Sequence, residues 1–146
     1  MNGESTILLV EDNPDDAELI LYAFEKLAIS NPLAVVGDGD AAVDYLGGTD
    51  AYRDRQRYPL PALILLDLKL PRRSGFEVLR FLRSQEATRH VPVVVLTSSN
   101  QPEDIQRAYA DGANSYLVKP VGRDHLIGMV RALEIYWMNL NEAYTR

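Results

Sequence analysis

The chain has 146 residues, is 47% hydrophobic and 25% charged, and contains no cysteine. That length suits one domain with a proper core and is short for two, and the apolar content excludes a disordered chain. Lack of cysteine excludes a disulfide framework, a thiolate metal site and a cysteine nucleophile, and fits a reducing cytoplasm; the net charge of −6 counts against a nucleic-acid binder.

The first apolar run is Ile7-Leu8-Leu9-Val10, followed at once by Glu11-Asp12. It is too short for a signal peptide, and no stretch approaches the ~20 apolar residues of a membrane span. Asn13-Pro14-Asp15-Asp16 then opens a helix: a capping side chain, a proline whose missing N–H costs nothing, and acids at the positive end of the dipole. Ala17, Leu21 and Phe24 are placed on its buried face. The second run, Leu33 to Val36, leads through Gly37-Asp38-Gly39 into a second helix. From Gly47 to Pro61 the chain is polar and aromatic and is predicted to be a surface loop. Arg53, Arg55 and Arg57 within it, and Arg72-Arg73 further on, read as solvated loop charges. The third run is Ala62 to Leu66. Ser74 and Glu77 have capping-box spacing and start a third helix, with Phe76, Leu79 and Leu82 at helical period. The fourth run is Val93 to Leu96. Its helix starts near Asn100 and Glu103 and turns Ile105, Ala108, Tyr109 and Gly112 inward. A weaker fifth run, Tyr116-Leu117-Val118, precedes a last helix with Leu126, Val130, Leu133 and Trp137 on one stripe.

Strands that are apolar throughout are buried on both faces, as in a parallel sheet covered by helices. Five such units predict an α/β fold with a doubly wound, five-stranded parallel sheet flanked by five helices. They form a single domain over 1–146, with a core of about 6–137 and a helical extension to 146. In such sheets ligands bind at the carboxyl ends of the strands. The first strand ends in Glu11-Asp12, the third in Asp67, the fourth in Thr97-Ser98 and the fifth in Lys119-Pro120. Three carboxylates, a hydroxyl and an ammonium thus converge. Two like charges ~4 Å apart repel by ~4 kcal/mol at an effective dielectric of about 20. A divalent cation relieves this, and hard oxygen ligands suit Mg²⁺ or Mn²⁺. Lys119 is a point charge on a long stem, able to reach a phosphoryl oxygen.

Glu11-Asp12, Asp67, Thr97 and Lys119-Pro120 resemble the signature of two-component response-regulator receiver domains, over nearly the whole chain from Ile7 to about Trp137. The resemblance implies a flavodoxin-like strand order, 2-1-3-4-5, and makes Asp67 the phosphoacceptor for a sensor histidine kinase. It implies that Asp12, Glu11 (through water), Asp67 and the backbone carbonyl of Lys69 hold Mg²⁺. It also implies that Thr97 and Lys119 contact the phosphoryl group and that a cis peptide joins Lys119 to Pro120. Tyr116 matches the aromatic that turns inward when Thr97 moves toward the phosphoryl group. Lys69 and Ser99, two positions after Asp67 and Thr97, lie beside the path of the hydrolytic water and are expected to tune autodephosphorylation. Such a protein is a signalling module and not an enzyme acting on other substrates, with neither a DNA-binding domain nor a membrane anchor.

The long loop before Asp67, the segment from Leu70 to Leu79 and the aromatic Ile135-Tyr136-Trp137-Met138 are similar to response regulators paired with bacterial phytochromes. That implies a light-sensing kinase partner and a homodimer through the C-terminal face, where Ile135, Tyr136, Met138 and Leu140 lie partly off the core stripe.

Other readings fit less well. Gly37-Asp38-Gly39-Asp40-Ala41-Ala42 matches G-x-G-x-x-A, but on the second strand, and Asp38 and Asp40 would face a pyrophosphate with negative charge. A phosphatase of the haloacid-dehalogenase type needs an aspartate where Lys69 stands. A degenerate receiver, acting only as an interaction module, is opposed by the intact acids, Thr97 and Lys119. His90 and His125 stand away from the strand ends as surface residues.

Overall fold

Strands β1 (Ile7–Val10), β3 (Leu63–Leu66) and β4 (Val93–Thr97) are buried at every position. β2 (Leu33–Val36) and β5 (Ser115–Val118) are only partly covered. The computed structural model, which describes residues 1–144, accounts for the difference: all pairs are parallel in the order β2-β1-β3-β4-β5, so the two less buried strands are the edges. The expected topology is therefore the observed one.

Alternation along each strand divides the core into two layers. Leu8, Val10, Ile64, Leu66, Val93 and Val95 face α2 (Gly39–Gly47), α3 (Gly75–Ser84) and α4 (Pro102–Ala110). Ile7, Leu9, Leu63, Leu65, Val94 and Leu96 face α1 (Pro14–Lys26) and α5 (Arg123–Leu133). The Asn13 side chain accepts hydrogen bonds from the Asp15 and Asp16 N–H groups, and Ser74 caps α3 through the Glu77 N–H.

Several helical faces differ from expectation. In α1 the inward residues between Ala17 and Phe24 are Ile20 and Ala23, and Leu21, a hundred degrees round from Ile20, is 39% exposed. α4 begins at Pro102, later than Asn100, because proline suits the first helical position. Only Ala108 of that helix is buried, and Tyr109 is half exposed. After α5 the chain continues as a π-helical segment, Glu134–Leu140. Its i→i+5 bonding advances the register by one residue, so the stripe of Leu126, Val130 and Leu133 continues onto the buried Met138, while Trp137 packs half-buried against the same layer. Met138 is buried, contrary to its placement on the outer face; Ile135, Tyr136 and Leu140 are exposed as expected. The helical extension ends at Leu140, since Asn141 is in an extended conformation, and positions 145 and 146 lie outside the described residues.

The loop before β3 is more ordered than its composition suggested. The guanidinium of Arg55 donates to the Tyr45, Leu46 and Tyr58 carbonyls at 2.7, 2.9 and 3.2 Å. It thereby covers the Leu46 carbonyl at the end of α2 and adds to the Gly48 N–H bond on the Tyr45 carbonyl, where Gly48 adopts the left-handed conformation (φ 67°). Tyr45, Tyr52 and Tyr58 pack ring against ring beside it. Arg55 is thus a helix cap and not a solvated charge. Arg55→Met is expected to lower the unfolding free energy by about 1–3 kcal/mol in urea titrations. The exposed neighbour change Arg53→Met should shift it by less than ~0.5 kcal/mol.

Candidate functional site

The parallel ladder runs one residue past the strands. The Glu11 N–H bonds to the Val36 carbonyl, Asp67 to Val10 and Lys119 to Thr97, at 3.0, 3.1 and 2.7 Å. Backbone pairing therefore sets Glu11, Asp67, Thr97 and Lys119 side by side at the carboxyl edge of the sheet. Asp67 is further fixed from below by α3. The Gly75 N–H bonds to the Leu68 carbonyl at 2.8 Å, and a β-carbon at Gly75 would lie 2.3 Å from the Asp67 carbonyl oxygen. Only glycine permits that approach.

The side chains converge as expected. Carboxylate oxygens of Glu11, Asp12 and Asp67 all lie within 4.8 Å of one another. Glu11 and Asp67 are buried, whereas Asp12 is exposed and opens the group to solvent. Lys119 reaches over them: its Nζ lies 2.6 Å from Glu11 Oε1 and 3.0 Å from Asp67 Oδ2. The other Asp67 oxygen accepts the Lys69 N–H at 3.3 Å, while the Lys69 side chain is exposed. Thr97 is fully buried and its hydroxyl has no hydrogen-bond partner. Such an orphan costs about 1–3 kcal/mol, which a ligand oxygen would relieve.

Tyr116 is half-buried against the α2–α4 core layer, and its hydroxyl donates to the Ser99 carbonyl at 2.9 Å. The Ser99 hydroxyl is buried and bonds Asp104 of α4, so it is tied to that helix. The Lys119–Pro120 peptide is trans, which corrects the cis bond implied by the resemblance. An X–Pro bond favours trans by about 0.5–1 kcal/mol, and Lys119 reaches the carboxylates in that form. His90 and His125 are exposed, as expected. Sequence reasoning missed Asp16: its Oδ2 lies 3.0 Å from Lys119 Nζ. Two acids in the first turn of α1 were explained by the helix dipole alone. The unused signal was that one acid suffices for that role.

Known proteins resemble this chain over nearly its whole length. The profile of the response regulator receiver domain matches residues 7–131. The chain is 42% identical to the probable methanogenesis regulatory protein FilR2 of Methanothrix harundinacea, over 94% of this chain and 86% of that protein. It is 36% identical to response regulator Rcp1 of Synechocystis, over 94% and 91%. The Mn²⁺-bound crystal structure of Rcp1 superposes with a TM-score of 0.87 at 34% identity, over 97% and 99%. The phosphorylated cyanobacterial phytochrome response regulator RcpA superposes with a TM-score of 0.90 at 33% identity, also over 97% and 99%.

The cluster suits a divalent cation, because its own counter-charge is one ammonium. Burial pushes the Glu11 carboxyl up to about 7 from its ordinary 4.5, although its hydrogen bond to Lys119 pulls the other way. Lys119 is held above the ordinary lysine range; burial alone would lower it, but the bonds to Glu11, Asp16 and Asp67 outweigh that. A carboxyl whose folded value is raised favours folding below its unfolded value and loses that contribution as pH rises through the folded one. Glu11 therefore destabilises the metal-free protein increasingly between pH 4.5 and about 7. Glu11→Gln should flatten the pH dependence of stability over that window. It should also raise the metal-free unfolding free energy above pH 7 by about 1–3 kcal/mol, measured by urea denaturation.

Proposed function

The chain belongs to the response-regulator receiver family, whose function is to be phosphorylated by a histidine kinase, and on that premise we propose that Asp67 is its phosphoacceptor. The observation that carries this reading is the Lys119 ammonium bonded to Asp67 beside the partnerless, buried Thr97 hydroxyl. An oxygen of the Asp67 carboxylate attacks the phosphorus of a phosphohistidine. The O–P bond forms as the N–P bond breaks, and the imidazole nitrogen leaves with its electron pair and takes up a proton. Lys119 transfers an N–H from Asp67 to a phosphoryl oxygen, and Thr97 donates its hydroxyl to another.

Mg²⁺ is the proposed cofactor, with Mn²⁺ as a substitute, held by Glu11, Asp12, Asp67 and the Lys69 backbone carbonyl. When bound it supplies the positive charge that phosphoryl oxygens require. The acyl phosphate is cleared when water attacks the phosphorus and the Asp67 carboxylate leaves, releasing inorganic phosphate. The Lys69 side chain and Ser99 tune that step. The protein acts on no other substrate. Its output is a population shift in which Thr97 moves toward the phosphoryl group and Tyr116 and α4 follow. The Tyr116–Ser99–Asp104 contacts support this route, because they join the fifth strand to the start of α4.

Likeness to Rcp1 and RcpA supports a sensor kinase of the phytochrome class as the partner. The exposed Ile135, Tyr136 and Leu140 support a homodimer through the C-terminal face. Among the described residues no helix is long and apolar enough to cross a membrane, and the proposed place of action is the cytoplasm. The described elements form one receiver unit, and the proposed readout is contact with another protein.

Incubation with acetyl phosphate and Mg²⁺, followed by intact-protein mass measurement, should add one phosphoryl group. The gain should vanish with a chelator and in Asp67→Asn. A chain that neither gains mass nor binds beryllium fluoride would overturn the proposal. For the dimer, a monomeric mass by light scattering at high protein concentration would do the same.

A further inference from the structure

Lys119 has three N–H donors, and all three are taken: by Glu11 of the β1 end, Asp67 of the β3 end and Asp16 of α1. Two of these acceptors belong to the cluster suited to a cation, and one of those is the group that changes when phosphorus is bound. Asp16 belongs to neither category. Its oxygens are not among those within 4.8 Å of one another. Nor does it cap its helix, because the Asn13 side chain already accepts from the Asp15 and Asp16 N–H groups.

Packing does not hold the ammonium in place either. The Lys119 stem borders a cavity of about 180 Å³ lined by Asp16, Leu19, Ile20, Pro120 and Leu126. A four-carbon stem beside open space has somewhere to swing, and each immobilised lysine loses rotamer freedom on ordering. The position of Nζ over Asp67 therefore rests on carboxylates. Once Asp67 carries its charge on phosphoryl oxygens, and Glu11 faces a cation, Asp16 is the remaining fixed acceptor.

We propose that Asp16 is a positioning residue for the phosphoryl acceptance of this protein, acting by anchoring the Lys119 ammonium from α1 so that it stays within reach of the phosphoryl oxygens. This rests on the reading of Asp67 as the acceptor. Asp16 touches Lys119 and not the reacting atoms. It costs the site a negative charge and returns a fixed geometry for its cation.

The test uses the intact chain and two readouts. The first is the ¹⁵Nζ signal of Lys119 by NMR in metal-free, unphosphorylated protein, assigned with Lys119→Arg. The second is the rate of labelling by acetyl phosphate with Mg²⁺ as a function of donor concentration. Asp16→Ala should broaden or lose the Lys119 ammonium signal and lower the maximal labelling rate by about tenfold, with the half-saturating donor concentration unchanged. Asp16→Asn, which keeps an acceptor oxygen, should retain the signal and most of the rate. Asp15→Ala removes the same charge from the exposed neighbour and should alter neither. Retention of the Lys119 signal and rate in Asp16→Ala would overturn the proposal. So would an equal loss in Asp15→Ala, which would make the effect one of net charge. If the parent protein neither takes label nor binds beryllium fluoride, the acceptor reading fails, and the NMR comparison still decides whether Asp16 holds Lys119.

Discussion

One ammonium group balances the carboxyl edge of this sheet. Lys119 donates to three carboxylates that come from β1, β3 and α1, and a fourth, Asp12, stands beside them in solvent. At an effective dielectric of about 20, like charges 4–5 Å apart repel by about 3–4 kcal/mol per pair, so the arrangement exists only because something compensates it. The sheet supplies the frame through backbone pairing that extends past the strand ends. Lysine supplies part of the charge, and burial raises the Glu11 carboxyl against the pull of that lysine. An edge so arranged has affinity for positive charge, and then for the anion that positive charge brings.

The fold was legible because burial on both faces forces a strand to be apolar at every position. The runs at β1, β3 and β4 could hardly be anything else, and the fifth run was weaker because β5 is an edge. The principal site was legible for a related reason. Polar residues that directly follow buried strands lie at one edge, so Glu11, Asp67, Thr97 and Lys119 had to meet.

What was hidden depended on context that lies far away in sequence. Arg55 looks like any loop arginine until the end of α2 is brought beneath it. Asp16 looks like a dipole acid until β5 delivers Lys119, 103 residues later. Met138 joins Trp137 against the core because a stripe read at 3.6 residues per turn shifts where bonding becomes π-helical. The trans Lys119–Pro120 bond shows the opposite hazard, a feature expected from kinship that this chain does not show.

The two banks of the site are built to different stiffness. On the α3 side, Gly75 is pressed against the backbone of Asp67 and Leu68, and five residues of that helix are buried. On the α4 side, one alanine is buried, no side chain caps the helix start, and the Ser99 contacts with Asp104 and Tyr116 are the nearest ties. Segments with little buried apolar surface are the ones that open at low free energy. A force applied at the acceptor therefore meets an anvil on one side and a spring on the other. A displacement at the carboxyl edge meets least resistance toward α4, where little apolar surface is buried.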